Sequence, residues 1–465
     1  MLGVLRSTGR FGVLVALTAA AIGVIYGYDL GAIAGALLFL PKNFHISTFE
    51  KQAIASSVVL GQFCGAFVGG RIANRFGRRP TLIAVAAGFI VFAILSGASW
   101  STWSLIAFRL LLGATIGVSI AAAPLFIAES APAQIRGGLV ATYQVANIVG
   151  LAIAYFVGVA VAGAHQWRIL LGASSVLAAL VLLVLWRLPD TPRWYVMRGR
   201  REEAERTLAR ADPTRSSEQA LQAIEADLAH QERGTFGELL SRPFTLAGVW
   251  VVAFGAIVQI TGINAVVFYA PTFLGKVGFK GTTGPLLGNG FVQLAGLVMA
   301  VISLSLVDRR GRRPVLLIGL TIMLVADVCL IVSFAAGQVA WLAFLGILLF
   351  VMGFDFGLGV LVWVYSSESL PSRLRGVGAS ALLAANLAVN FIVVQFFLSA
   401  LTALGGQWVF AIFLGFGVLA LGFVLRFAPE TRGRQLEEIR DYWEHGAQWS
   451  TDAPGVKAPG PAAPA

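Results

Sequence analysis

Two ionisable side chains stand where the surrounding sequence is apolar. Asp29 interrupts a run that begins at Phe11, and Arg109 interrupts another at 105–127. Inside an apolar segment of membrane length a lone carboxylate or guanidinium is costly unless paired or solvated, so each is the natural partner of the other. An adjacent guanidinium favours the ionised carboxylate; a carboxyl that loses that neighbour while staying out of water takes up a proton. The pair has the chemistry of a proton switch that responds to helix movement. The alternative is a permanent structural salt bridge. Asp327, a further acid in an apolar run, reads as a bundle-facing hydrogen-bonded residue.

These residues must be positioned by elements whose solvent is lipid. Of the 465 residues, 57% are hydrophobic and 12% charged, and the mean hydropathy is +0.81, far from the balance of a water-soluble domain. The net charge of +11 lies in short clusters between apolar runs, with no long basic arm, which excludes a nucleic-acid partner. Cys64 and Cys329 fall in separate apolar runs and read as small buried hydrophobes. Arg6 and Arg10 before an apolar run imitate a signal peptide, but the run continues to Leu40 without a small-residue cleavage site and reads as a retained first helix.

A span needs about 20 mainly apolar residues, and the chain offers twelve: 11–40, 52–72, 80–98, 105–127, 138–161, 167–188, 246–274, 285–307, 314–334, 341–365, 376–401 and 409–427. The loops alternate between an arginine-rich set, from Arg71 to Arg79, at Arg136, from Arg309 to Arg313, and at Arg373 and Arg375, and a set with mainly Lys42, Lys51, Arg168, Lys276 and Lys280. The positive-inside rule makes the arginine-rich set and both termini cytoplasmic.

Motifs recur at nearly one spacing: Arg78-Arg79-Pro80 returns as Arg312-Arg313-Pro314, Glu129 with Arg136-Gly137 as Glu368 with Arg375-Gly376, and Pro189-Asp190-Thr191 as Pro429-Glu430-Thr431. The reading is an all-α membrane protein of two pseudo-symmetric six-helix halves, at 1–188 and 243–428, joined by a cytoplasmic helical linker at 189–242. A tail at 429–465 is expected to be disordered from Thr451 onward.

The ordered motifs resemble the sugar porters of the major facilitator superfamily from about Tyr26 to Arg434. They are Gly27-Tyr28-Asp29, the run from Asn74 to Arg79, Arg109 with Gly113 and Gly117, Glu129 with Arg136-Gly137, the run from Pro189 to Trp194, Thr261-Gly262-Ile263-Asn264 and the run from Asp308 to Arg313. The resemblance implies movement of a monosaccharide, proton-coupled or facilitated, by rocking of the halves around a midplane site. Members that resemble proton symporters carry an acid at the Asp29 position, and facilitators commonly an amide.

A neutral polyol is held by amide donors and acceptors and an aromatic face rather than by a charged clamp. The positions matching sugar contacts are Tyr26, Gln144, Gln259, Asn264, Trp363, Asn386 and Asn390, the last two sharing a helix face. For any one amide, interhelical hydrogen bonding is the competing role. Two usually polar positions fall on Val258 and Gly296, with Gln293 one turn before the latter. Gly262, Gly353, Gly357 and Gly359 mark interruptions or close packing beside these contacts. Asp355 matches an acidic position of structural or gating role.

Glu129 and Glu368 end the fourth and tenth spans just before Arg136 and Arg375, facing clusters that contain Arg75, Arg78 and Arg79, and Asp308, Arg309, Arg312 and Arg313. The resemblance implies that these groups form a cytoplasmic gate, whose first cluster has Asn74 in place of the usual acid. The alternative is arginine acting on topology alone. Four scattered histidines, His45, His165, His230 and His445, make no metal spacing, and neither a P-loop nor a nucleophile elbow occurs, so no catalytic residue, metal or cofactor is expected. The expected partners are a monosaccharide, a proton and the bilayer, for a monomer in the cell membrane. The competing readings are a facilitative uniporter, an exporter of drugs or organic ions, for which a charged cavity would be expected, and a nontransporting sugar receptor.

Overall fold

The computed structural model describes residues 9–40, 44, 46–130, 136–162, 166–211, 216–230, 234–276, 279, 281–371, 373–434 and 436–449. Arg6, Lys42, His45, His165, Lys280 and the 451–465 tail lie outside them, as do the side chains of Arg10, Arg136, His230 and Lys276.

All twelve expected spans are helical and long and apolar enough to cross a membrane. In the first half they are α1 (Gly9–Phe39), α2 (Thr48–Phe76), α3 (Arg78–Gly97), α4 (Thr102–Ser130), α5 (Arg136–Val161) and a sixth span split into α6 (Trp167–Gly172) and α7 (Ser174–Trp186). The linker forms α8 (Pro192–Met197), α9 (Arg201–Ala211), α10 (Ser217–His230) and α11 (Phe236–Leu239). In the second half, α12 (Thr245–Ile260) and α13 (Ile263–Lys276) share the seventh span, followed by α14 (Thr283–Arg310) and α15 (Arg312–Ala335). The tenth span is divided into α16 (Ala340–Phe356) and α17 (Leu358–Glu368), and α18 (Arg375–Leu404) and α19 (Gly406–Phe427) complete the half. The seventh span breaks at Gly262, whose φ of 96° suits glycine alone, and the tenth at Gly357.

The pairing of spans repeats. In the first half α1 packs on α5, α4 on α2 and α3, and α3 on α7; in the second, α12 packs on α18, α16 on α14 and α15, and α15 on α19. Small residues permit the closest of these approaches. A Cβ on Gly113 or Gly117 of α4 would overlap the carbonyl of Val58 or Gln62 in α2, and one on Gly27 would overlap that of Asn147 in α5. The two halves meet where α5 packs on α14, α2 on α18 and α1 on α13.

Large apolar side chains stand exposed around the perimeter, among them Leu183, Phe396 and Leu419, as expected of a surface solvated by lipid. Trp100, Trp103, Trp186, Trp341 and Trp408 are exposed at span ends, the position of an interfacial aromatic belt. Beyond the last span, α20 (Leu436–Glu444) buries Ile439, Tyr442 and Trp443. The Trp443 indole donates to the Ser369 carbonyl at 2.7 Å, tying the tail to the end of α17. The sequence reading contained no such helix, although Ile439, Tyr442 and Trp443 have helical spacing.

Gly113→Val would set a branched side chain where the Val58 carbonyl stands, and overpacking of this kind costs about 1–3 kcal/mol. We expect a lower thermal unfolding midpoint and less monodisperse protein in size exclusion. Gly415→Val, which meets open space, is the control. Equal losses in both variants would refute the packing account.

Candidate functional site

Three helices converge on the first pair. The Arg109 guanidinium of α4 donates from Nη1 and Nη2 to Asp29 Oδ1 and Oδ2 of α1, each at 3.3 Å, and from Nε to the Ile54 carbonyl of α2 at 3.0 Å. Arg109 is 0% and Asp29 2% exposed, so the pair is dry and carries its own compensation.

The amides of the second half form a chain around the Gly262 break. Asn264 Nδ2, in the first turn of α13, donates to Gln259 Oε1 at 2.9 Å. Gln259 Nε2 donates to Asn386 Oδ1 of α18, and Asn386 Nδ2 to the Gly255 carbonyl, both at 3.2 Å. One turn further along α18, the buried Asn390 Oδ1 has no partner among the described residues. Trp363 of α17 reaches across the halves, its indole N–H donating to Gln144 Oε1 of α5 at 3.3 Å. Thus Gln259, Asn264 and Asn386 are brought into one network, and Gln144 and Trp363 into a bridge. Tyr26 lies apart from both, lining an apolar pocket within the first half with Ile22, Leu82, Phe89, Ile116 and Tyr143.

At the two usually polar positions, Val258 is buried and Gly296 lies directly beneath the Asp355 carboxylate, which fills the space a side chain there would need. Gln293 is buried on the same helix. Asp327 differs from the sequence reading: it is buried, but Oδ1 has no hydrogen-bond partner among the described residues.

At the arginine-rich face the repeat becomes chemical. Arg78 faces Glu129 with Nε–Oε2 and Nη2–Oε1 both at 3.0 Å, and Thr191 Oγ1 donates to the same carboxylate at 2.5 Å. In the second half Arg312 binds Glu368 through Nε at 3.0 Å and Nη2 at 3.1 Å, and Thr431 Oγ1 donates to Glu368 at 2.7 Å. Asp190 Oδ1 accepts the backbone N–H groups of Arg78, Arg79 and Thr191 at 3.1, 3.2 and 2.8 Å. Glu430 likewise accepts those of Arg312, Arg313 and Arg432, each at 3.0 Å. Each acid therefore satisfies the orphan donors at the start of a spanning helix.

The second arginine of each cluster does a different job. Arg79 donates to the carbonyls of Leu185 and Trp186 at the end of α7, and Arg313 to that of Leu425 near the end of α19, so both cap the last span of their own half. Asp308 is exposed and pairs with Arg312 at 3.2 Å. Arg75 lies over the Phe76 ring, Arg309 is exposed, and Arg375 lines a cavity with Arg312 and Glu368. Among the described residues, the hydrogen bonds of each cluster stay within one half and its adjoining linker or tail.

Contacts between the halves concentrate instead toward the arginine-poor face. Gln52 exchanges two hydrogen bonds with Ser399, at 2.8 and 2.9 Å, Ser56 donates to Gln395 at 2.5 Å, and Tyr155 donates to the Val267 carbonyl at 3.0 Å. The sequence reading missed these residues, which carry no motif. It also missed the roles of Asp190, Thr191, Glu430 and Thr431, although their recurrence had been visible.

A buried Asp–Arg pair within one repeated half, an amide network in the other, and hydrogen bonds that join the halves toward one membrane face are the arrangement of an alternating-access membrane transporter. Over residues 15–443 the chain matches the sugar (and other) transporter family, and it belongs to that family. It is 32% identical over 439 residues to the galactose-proton symporter of Escherichia coli, covering 93% of this chain and 95% of the relative. To the glucose transporter of Staphylococcus epidermidis it is 33% identical over 427 residues, covering 90% and 94%. Its fold matches the inward-open conformation of the xylose transporter from Escherichia coli with a TM-score of 0.80 at 28% identity, covering 92% of this chain and 99% of that one. The fold is that of the major facilitator superfamily.

Burial raises the Asp190 carboxyl above its ordinary value, against the pull of the three N–H groups and the Arg78 charge. Because the folded state then holds the proton more tightly, this contribution to stability is fully present below the unfolded value and is lost as pH rises through the folded one. Asp190→Asn keeps an acceptor for the three N–H groups and is expected to fold and to flatten that dependence in thermal unfolding. Asp190→Ala orphans them and is expected to cost about 1–3 kcal/mol.

Proposed function

We propose that the chain is a proton-coupled symporter that imports a monosaccharide, hexose or pentose, by alternating access. The observation that carries this reading is the dry, doubly bonded Asp29–Arg109 pair inside the first half. It works as a monomer in the cell membrane, with the arginine-rich loops and both termini cytoplasmic, and needs neither cofactor nor covalent chemistry. The names of the relatives, a galactose-proton symporter among them, support the substrate and the coupling ion.

With that orientation, the Gln52–Ser399 and Ser56–Gln395 contacts close the outer side, and the conformation is the one that faces the cytoplasm. Arg109 engages both oxygens of Asp29, the pairing expected after a proton has left inward. In the outward-facing state Asp29 takes a proton from outside, Arg109 is released, and α1 and α4 are free to shift. Sugar hydroxyls then replace the amide partners along Gln259, Asn264 and Asn386, with Asn390 and Gln144 completing the donors and acceptors and Trp363 offering its ring face. Tyr26 acts from behind α1, through the packing around Asp29.

The gate consists of two plates. Arg78 with Glu129 and Arg312 with Glu368 keep each plate rigid, Arg79 and Arg313 anchor it, and Arg75, Arg136, Asp308, Arg309 and Arg375 supply the faces that meet when the cytoplasmic side closes. The division of the chain into two halves, linker and tail follows the same reading.

In proteoliposomes, a labelled hexose and pentose panel is expected to show accumulation driven by an inward proton gradient. Asp29→Asn is expected to abolish accumulation while sugar still equilibrates. Uptake that ignores the gradient in the parent protein would overturn symport in favour of a uniporter. Each lost neutral hydrogen bond costs about 1 kcal/mol, so Gln52→Leu/Gln395→Leu is expected to shift the population outward. Its readout is faster labelling of Asn264→Cys, in a background with Cys64 and Cys329 replaced by serine, by an impermeant maleimide added from outside. An unchanged rate would refute the outer closure.

A further inference from the structure

We propose that a cavity beside the Arg312–Glu368 cluster binds a phosphate group. This site is separate from the amide network and does not depend on the identity of the sugar. The cavity is about 390 Å³ and is lined by Arg312, Arg375, Arg434, Glu368, Thr431 and Gly433.

Its wall carries three arginines and one acid, Glu368, whose charge also acts on Arg375. Glu368 is already bound by Arg312 through both oxygens, leaving two further guanidinium groups on the wall. Arg375 has no hydrogen bond or ion pair with a described residue, and its Nε is buried without a partner. Among the described residues the Arg434 guanidinium makes a 3.7 Å ion pair with Glu438 and lies over the Trp449 ring at 4.4 Å. The guanidinium forks of Arg375 and Arg434 suit a tetrahedral, doubly charged oxyanion far better than a neutral sugar. Gly433, at φ 69°, turns the backbone with open space where a side chain would stand.

The other half shows that the opening is not a necessity of the fold. After Thr191 the chain enters α8, with Pro192 in its first turn and Trp194 buried three residues on. After Thr431 the corresponding positions are Arg432 and Arg434, and no helix follows until α20. Where one repeat closes with a proline and a tryptophan, the other presents arginines. A phosphate here would engage Arg375 and compete with Glu368 for Arg312, tying its occupancy to the second half's charge cluster. The phosphate could come from a soluble ester or from an anionic lipid headgroup, since Arg312, Glu368 and Arg375 stand at the ends of the spanning helices α15, α17 and α18.

The test uses the full chain in nanodiscs. Binding of radiolabelled inorganic phosphate is measured in phosphatidylcholine discs, and thermal unfolding is followed with phosphate against chloride at equal ionic strength, and with phosphatidylglycerol against phosphatidylcholine. Saturable binding with a raised midpoint, weakened about tenfold in Arg375→Gln and Arg434→Gln but not in Arg210→Gln, supports a soluble source. A midpoint raised only by phosphatidylglycerol, and lost in the same two variants, supports the headgroup. Absence of both effects in the parent overturns the proposal without reliance on any variant, and so does an effect that all three variants retain.

Discussion

An aspartate and an arginine held out of water inside a membrane bundle constrain everything around them. Neither charge is tolerable there alone, because the desolvation of each must be met by the other and by further hydrogen bonds. Arg109 meets this condition by touching α1 and α2 at once, through both oxygens of Asp29 and the Ile54 carbonyl. That contact requires α1, α2 and α4 to lie within reach of one side chain. The glycines at 113 and 117, beneath carbonyls of α2, and at 27, beneath a carbonyl of α5, make the approach possible. Protonating Asp29 would leave Arg109 without its counter-charge, so under the proposed coupling proton uptake and helix rearrangement would be one event seen from two sides.

The same economy governs the charged face. In each half one acid neutralises an arginine while a second accepts backbone N–H groups at the start of a spanning helix, and a threonine links the tail of one motif to the acid of another. Arg78, Glu129, Asp190 and Thr191 find their counterparts in Arg312, Glu368, Glu430 and Thr431. Bonds confined to one half stiffen that half without resisting its motion against the other. The hydrogen bonds described between the halves, those of Gln52 with Ser399, Ser56 with Gln395, Tyr155 with Val267 and Trp363 with Gln144, join neutral groups and break at modest cost. Among the described hydrogen bonds, charged ones thus lie inside each half and neutral ones between them.

Much of this was legible because membrane physics leaves few options. Spans must be long and apolar, and a buried acid must find a base, so the twelve helices and the partnership of Asp29 with Arg109 follow from the sequence directly. Repetition added the matched clusters. The α20 helix was less legible because its buried face is short and its neighbours are polar. Gln52 and Gln395 were invisible because a glutamine near a span end has no distinctive spacing, and only the tertiary fold brings two such residues together. Tyr26, matched by position to a sugar contact, lines an apolar pocket within the first half, a placement that position in the chain alone does not give.

Under the proposed mechanism, an event at Asp29 in one half must reach the amides in the other. The Gln144–Trp363 bond offers a route that needs no long chain of displacements. Gln144 sits on α5, the helix against which α1 packs, and Trp363 on α17, just beyond the break at Gly357. A shift of α1 changes the footing of α5, and an indole bonded to α5 feels that shift at a point where its own helix is already interrupted and bends easily. Sugar hydroxyls competing for Gln144 would loosen the same bond from the other side. The ion and the sugar would then act on one hydrogen bond between the halves, which is the minimum that reciprocal coupling requires.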